Sequence, residues 1–237
     1  MGWLSFIGCM LTAYGPPSCI FILYVARNAQ LVLLMMTSAF FWLISILFTS
    51  LIWYVAKPAQ SNHAVTIFYS VLLQESFRVL FYILMRRAES GLNVVSKNPK
   101  SPLNKHSYAF VTGLGFGWVS GLVSYITLLA EALGPGMLPC ISCPSVSLYF
   151  VSAIITALFT LLHITWMMLT FEGLVGSKSS YLFIWVIITH FGASYGTLLN
   201  SSNIPNGCVY SILIALIFLI VNTILVIRNL SRMSAQP

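Results

Sequence analysis

The sequence runs to 237 residues, of which 59% are hydrophobic and 6% charged, with a mean hydropathy of +0.93. No soluble domain can hide that much apolar surface, so the chain is a polytopic membrane protein whose solvent is the lipid bilayer. Its formal charge of +7 is scattered over short connections, which reads as a topology signal and not as a nucleic-acid surface.

Seven apolar stretches are long enough to span as α-helices: 2–26, 31–56, 64–85, 108–133, 146–171, 181–200 and 207–227. The expected fold is therefore all-α, with one seven-helix transmembrane domain over residues 1–237. The first stretch has no Lys or Arg ahead of it and is too long for a signal-peptide core, so it reads as a retained span. Gly15-Pro16-Pro17 inside it predicts a kink, since proline removes a donor and crowds the preceding turn. Punctuation falls between spans at Lys57-Pro58, Asn98-Pro99, Ser101-Pro102, Gly134-Pro135-Gly136 and Pro205-Asn206-Gly207. The longest connection is 86–107, and there is no internal repeat.

The third span carries Gln74, Glu75 and Arg78. Ionisable residues are expensive in lipid, and these spacings (i,i+3 and i,i+4) predict a local charge pair with an amide partner. The pair either anchors neighbouring helices or neutralises itself to specify packing.

In the fourth span Gly113, Gly117 and Gly121 recur every four residues and drift by only about 40° per step, so they share one helix face with Ser120 and Ser124. Such a strip lets another backbone approach closely, and it predicts a docking face for a helix of this chain or of a partner. Gly115 lies about 200° around from Gly117 and is expected to point away from the strip.

Cys140 and Cys143 follow the fourth span, and Cys208 opens the seventh. This C-x-x-C lacks a second pair, so a loop disulfide or incidental cysteines are preferred over a metal or redox motif. His163 and His190 are equidistant from the midpoint of the connection between spans five and six, which predicts similar depth and rings that face each other or a shared cavity. Structural hydrogen bonding is favoured over metal ligation, because two histidines make a poor metal site without a third ligand such as Glu75. No cofactor or metal is expected.

Nine of the eleven basic residues (Arg27, Arg86, Arg87, Lys97, Lys100, Lys105, Lys178, Arg228 and Arg232) fall on one side, against Lys57 on the other and Arg78 within a span. The positive-inside rule predicts a lumenal or extracellular amino terminus and a cytosolic carboxyl terminus. The sequence contains no aspartate, so it cannot supply an aspartyl-protease pair, and its seventh span has no lysine for a retinal Schiff base.

Val71-Leu72-Leu73-Gln74-Glu75-Ser76-Phe77-Arg78, followed by Arg86-Arg87-Ala88-Glu89-Ser90-Gly91-Leu92, resembles the third span and next loop of the anterior-pharynx-defective subunit of gamma-secretase. Gly113-Leu114-Gly115-Phe116-Gly117 through Ser120-Gly121, and Ala132-Leu133-Gly134-Pro135-Gly136, are similar to that family's fourth span and its exit. Phe40-Phe41-Trp42-Leu43, Gly15-Pro16 and Leu161-Leu162-His163 match as well.

The resemblance implies a seven-helix, non-catalytic scaffold that binds nicastrin and holds presenilin, with a presenilin enhancer subunit completing the complex. It implies proteolysis of single-pass proteins of the Notch and amyloid-precursor class by the complex, in endoplasmic reticulum, Golgi and plasma membrane. The family's assembly glycines correspond to Gly113, Gly117 and Gly121, and its intramembrane histidines to His163 and His190. The run Met137–Cys143 departs from the family's usual short loop, and the stretch 172–180 lacks its basic cluster. The competing class is a seven-helix receptor or a small transporter with a polar midplane site. His63-Ala64-Val65 and Met85-Arg86-Arg87 lack the cysteine and the acidic-Arg motif expected of a receptor.

Overall fold

In lipid, an apolar run must satisfy its own backbone, and each of the seven does so by winding into a helix. A computed structural model describes residues 2–94, 104–134, 136–175 and 180–234. Lys97, Asn98-Pro99, Lys100, Ser101-Pro102, Pro135 and Lys178 lie outside the described residues. The helices are α1 (Trp3–Ile20), α2 (Ala29–Val55), the single turn α3 (Lys57–Gln60), α4 (His63–Val94), α5 (Asn104–Glu131), α6 (Leu148–Gly173), α7 (Ser180–Gly196) and α8 (Gly207–Ser234). Seven of these, all but α3, are long and apolar enough to cross a membrane.

Pro16 and Pro17 sit inside α1, and the helix passes into π-type hydrogen bonding over Phe21–Val25 one turn later. Asn28 then starts α2 by accepting a 3.1 Å hydrogen bond from the Gln30 backbone N–H, which satisfies one of the orphan donors of a helix start. Helix α4 runs nine residues beyond the predicted span, to Val94. Arg86, Arg87, Ala88 and Glu89 are good helix formers, and neighbouring elements hold the end. Gln30 donates to the Leu92 carbonyl at 2.8 Å, and Asn93 accepts from Tyr108 at 3.4 Å and from Asn104 at 3.3 Å. The connection between α7 and α8 turns at Asn206 in the left-handed region (φ 59°), where asparagine is tolerated.

One element outside the helices was not foreseen. Pro139–Cys140 and Cys143–Ser147 form a small antiparallel hairpin, β1 and β2, between α5 and α6. Of its two cysteines, Cys143 is in a disulfide with Cys208 at the start of α8, while Cys140 is a free, fully buried thiol. The bridge therefore joins two separate connections and does not close the C-x-x-C loop.

Helix α5 is the centre of the bundle, with its most extensive packing against α6 and α2. The main apolar cluster gathers Met35 and Trp42 of α2, Phe81 of α4, Leu114 and Phe116 of α5, and Ile164 and Met167 of α6. Helices α1 and α8 are the most peripheral, with the smallest buried share among the seven spans.

Candidate functional site: a buried polar cluster behind a glycine-packed helix

Close approach on both sides of α5 sets the geometry. A Cβ placed on Gly113 would lie 2.7 Å from Ile164 Cα, and one on Gly117 would lie 2.6 Å from the Thr160 carbonyl oxygen and 2.9 Å from His163 Cβ. At Gly121 the nearest atoms are side-chain ends, Thr156 Cγ2 and Thr160 Oγ1, both at 3.0 Å. The strip thus seats α5 on α6 of the same chain, and the Thr160 hydroxyl crosses to the Gly117 carbonyl at 3.3 Å. Gly115 is not idle, contrary to expectation. A Cβ there would collide with the Met35 carbonyl and the Ser38 hydroxyl of α2. The helix is narrow on two faces, so it fits between α2 and α6, and the angle that carried Gly115 off one interface carried it into another.

This packing brings Glu75, Arg78, His163 and His190 together, with relative exposures of 4%, 0%, 1% and 2%. Glu75 and Arg78 are one helical turn apart on α4, and Arg78 Nε donates to both carboxylate oxygens at 3.2 and 3.1 Å. Arg78 reaches α6 with its other nitrogens: Nη2 lies 3.1 Å from His163 Nδ1, and Nη1 donates to the His163 carbonyl at 3.4 Å. Its guanidinium also stands 4.8 Å from the centre of the Phe116 ring, within cation–π range. Glu75 Oε1 receives His190 Nδ1 of α7 at 2.6 Å.

The partners fix the tautomers. Arginine only donates, so His163 Nδ1 accepts, and the imidazole is neutral with its proton on Nε2. The carboxylate only accepts, so His190 Nδ1 carries a proton. The Glu75 carboxylate offsets the Arg78 guanidinium, so the ion pair itself carries no net charge. That is the condition under which buried ions are tolerated in lipid.

The two histidine rings are adjacent, with centroids 5.4 Å apart at 87°, but the hydrogen bonds expected between them run to Arg78 and Glu75 instead. Gln74 is likewise not the amide partner of Arg78. It accepts from Trp42 Nε1 of α2 at 3.2 Å and donates to Ser70 at 3.2 Å. Sequence reasoning passed over Trp166, which stacks on His190 at 4.3 Å and anchors its own Nε1 on Thr189 at 2.9 Å. No spacing in α6 distinguishes this tryptophan from a lipid-facing one.

A cavity of about 330 Å³ opens beside the cluster. Gln74, His163 and His190 line it together with Ser120, Ser124, Ser194 and Thr197, which belong to the half of the bundle nearer the hairpin. Gly192-Ala193-Ser194-Tyr195-Gly196 has the spacing of a nucleophile elbow, but it lies at the end of α7 without the strand-to-helix turn that presents such a serine. Among the described residues, no group of three or more His, Cys, Asp or Glu side chains is arranged to hold a metal.

The family model described as "Aph-1 protein" matches residues 4–232. The chain belongs to the Aph-1 family. It is 35% identical over 202 residues to the Drosophila melanogaster gamma-secretase subunit Aph-1, covering 84% of this chain and 83% of that protein. It is 33% identical over 205 residues to Homo sapiens gamma-secretase subunit APH-1B, covering 83% and 79%. The Arabidopsis thaliana gamma-secretase subunit APH1-like is 31% identical over 229 residues, covering 93% and 89%. Membership spans all seven apolar helices, so the cluster and the glycine faces lie within the matched region.

Proposed function

We propose that this Aph-1 family chain is a non-catalytic scaffold subunit of gamma-secretase, holding presenilin and nicastrin, with a presenilin enhancer subunit completing the assembly. The observation that carries this reading is the family match over residues 4–232, with relatives from insect, vertebrate and plant all named as gamma-secretase subunits. The site chemistry supports a structural role. The donors and acceptors of the ion pair are taken up by three helices of the same chain, and the charges cancel, which favours a fixed packing arrangement. The sequence has no aspartate, so the proteolytic pair must come from another subunit. The substrates would then be those of the complex, single-pass proteins of the Notch and amyloid-precursor class, in endoplasmic reticulum, Golgi and plasma membrane.

The same proposal puts the amino terminus in the lumen and the carboxyl terminus in the cytosol. Nine basic residues on one side support this orientation, and so does the Cys143–Cys208 bridge at the other end, where an oxidising lumen sustains disulfides. Affinity purification of the tagged chain in a mild detergent tests the proposal. Stoichiometric presenilin and nicastrin are expected, and a monomer isolated alone under conditions that preserve a known complex would overturn it.

A further inference from the structure

The hairpin holds a third thiol next to its disulfide. Cys140 and Cys143 are backbone partners across the turn Ile141-Ser142, and both belong to one buried cluster with Cys208. The Ser142 hydroxyl touches both hairpin sulfurs, at 3.5 Å from Cys140 Sγ and 3.9 Å from Cys143 Sγ. Cys140 is 0% exposed, Cys143 6% and Cys208 3%, so the thiol with access to the bridge is the neighbouring one and not a thiol in bulk solution.

From this juxtaposition we infer that Cys140, Cys143 and Cys208 form a thiol–disulfide exchange site, in which the bridge moves between Cys143–Cys208 and Cys140–Cys143. Cys140 attacks Cys143 Sγ as the thiolate. The Cys140–Cys143 bond forms, the Cys143–Cys208 bond breaks, and Cys208 leaves as a thiolate that takes up the proton Cys140 lost. One disulfide is consumed and one is made, so the step needs no oxidant or reductant. The ends of a four-residue turn lie within about 7 Å at Cα, which overlaps the usual span of a disulfide.

The two bridges do different things. Cys143–Cys208 ties the hairpin to α8 across 65 residues, whereas Cys140–Cys143 would staple the hairpin to itself and free the start of α8. The hydrogen bonds from Ser142 N to the Asn200 carbonyl (3.4 Å) and from Asn206 N to the Ser142 carbonyl (3.0 Å) would then hold the two connections together. The site rests on the three cysteines alone and does not depend on membership of a complex.

The test is disulfide mapping by mass spectrometry on the full-length chain in native membranes, acid-quenched and alkylated in SDS. The wild type should yield both Cys143–Cys208 and Cys140–Cys143 linked peptides, with Cys208 alkylated in the second. Cys140→Ser should abolish Cys208 alkylation and leave Cys143–Cys208 alone. Cys208→Ser should shift the bridge to Cys140–Cys143. A wild type with Cys143–Cys208 alone and Cys140 fully alkylated would overturn the exchange site, as would one with no bridge at all. If Cys208→Ser does not accumulate, the wild type and Cys140→Ser still decide it.

Discussion

Glu75 Oε1 on α4 and His190 Nδ1 on α7 are 2.6 Å apart, although 115 residues separate them in sequence. This contact, with the one from Arg78 to His163, locks α4 to α6 and α7 through a single ion pair. His190→Ala takes one donor from a buried carboxylate, and such losses cost about 1–3 kcal/mol in proteins generally, often less in membranes. His190→Asn, which keeps a short donor, should recover part of the loss. Thermal unfolding of the purified subunit in detergent is the measurement.

Breaking the ion pair on one side should hurt more than removing it. Glu75→Gln leaves Arg78 charged and unneutralised, a state that costs roughly 3–5 kcal/mol for buried pairs. Glu75→Gln combined with Arg78→Met removes both charges and should be more stable than Glu75→Gln alone. A double variant at least as unstable as the sum of the singles would show that the charges do not compensate each other.

The histidines hydrogen-bond to the ion pair and not to each other. His163→Ala and His190→Ala should therefore be non-additive, because either loss already loosens Arg78 and Glu75. His163→Gln retains an acceptor for Arg78 and should be milder than His163→Ala. Strict additivity would mean the two ends of the cluster are independent.

The glycine faces rank their own substitutions. Gly115→Ala and Gly117→Ala both meet backbone carbonyls, at Met35 and Thr160, and should both lower stability, by about 1–3 kcal/mol for overpacking of this kind. Gly121→Ala meets only threonine side-chain ends and should be the mildest. Leucine at Gly115 or Gly117 should leave membrane insertion intact while reducing folded subunit, since leucine favours a span. Folded yield at matched membrane levels reads this directly.

The spans were legible because a bilayer imposes length and hydrophobicity on every crossing, and 59% apolar composition leaves no other reading. The Glu75–Arg78 pair was legible because it is local. Its partners were less so: equal distance from a connection placed His163 beside His190, but said nothing about which atoms they would bond. Gly115 was misjudged because a strip defined by one period hides a residue serving the opposite face. The Cys143–Cys208 bridge was hidden for a similar reason, since C-x-x-C spacing points to a local pairing and two distant parts of the chain meet only in the folded bundle.

Two sequons test the orientation. Asn200 sits against the hairpin, its carbonyl accepting from Ser142 N and from Cys140 Sγ, and Asn229 is near the end of α8 on the side assigned to the cytosol. Neither should carry a glycan. An endoglycosidase-sensitive gel shift that disappears in Asn229→Gln would reverse the assigned topology.

In a scaffold subunit the buried cluster would serve assembly and not chemistry. The most direct measurement is proteolytic activity per assembled complex, alongside complex yield, across Glu75→Gln, His163→Ala and His190→Ala. The scaffold account predicts that yield falls in the order of subunit stability, while activity per complex stays at the wild-type value. A variant that assembles fully, yet loses activity per complex, would contradict it and place these residues in the reaction itself.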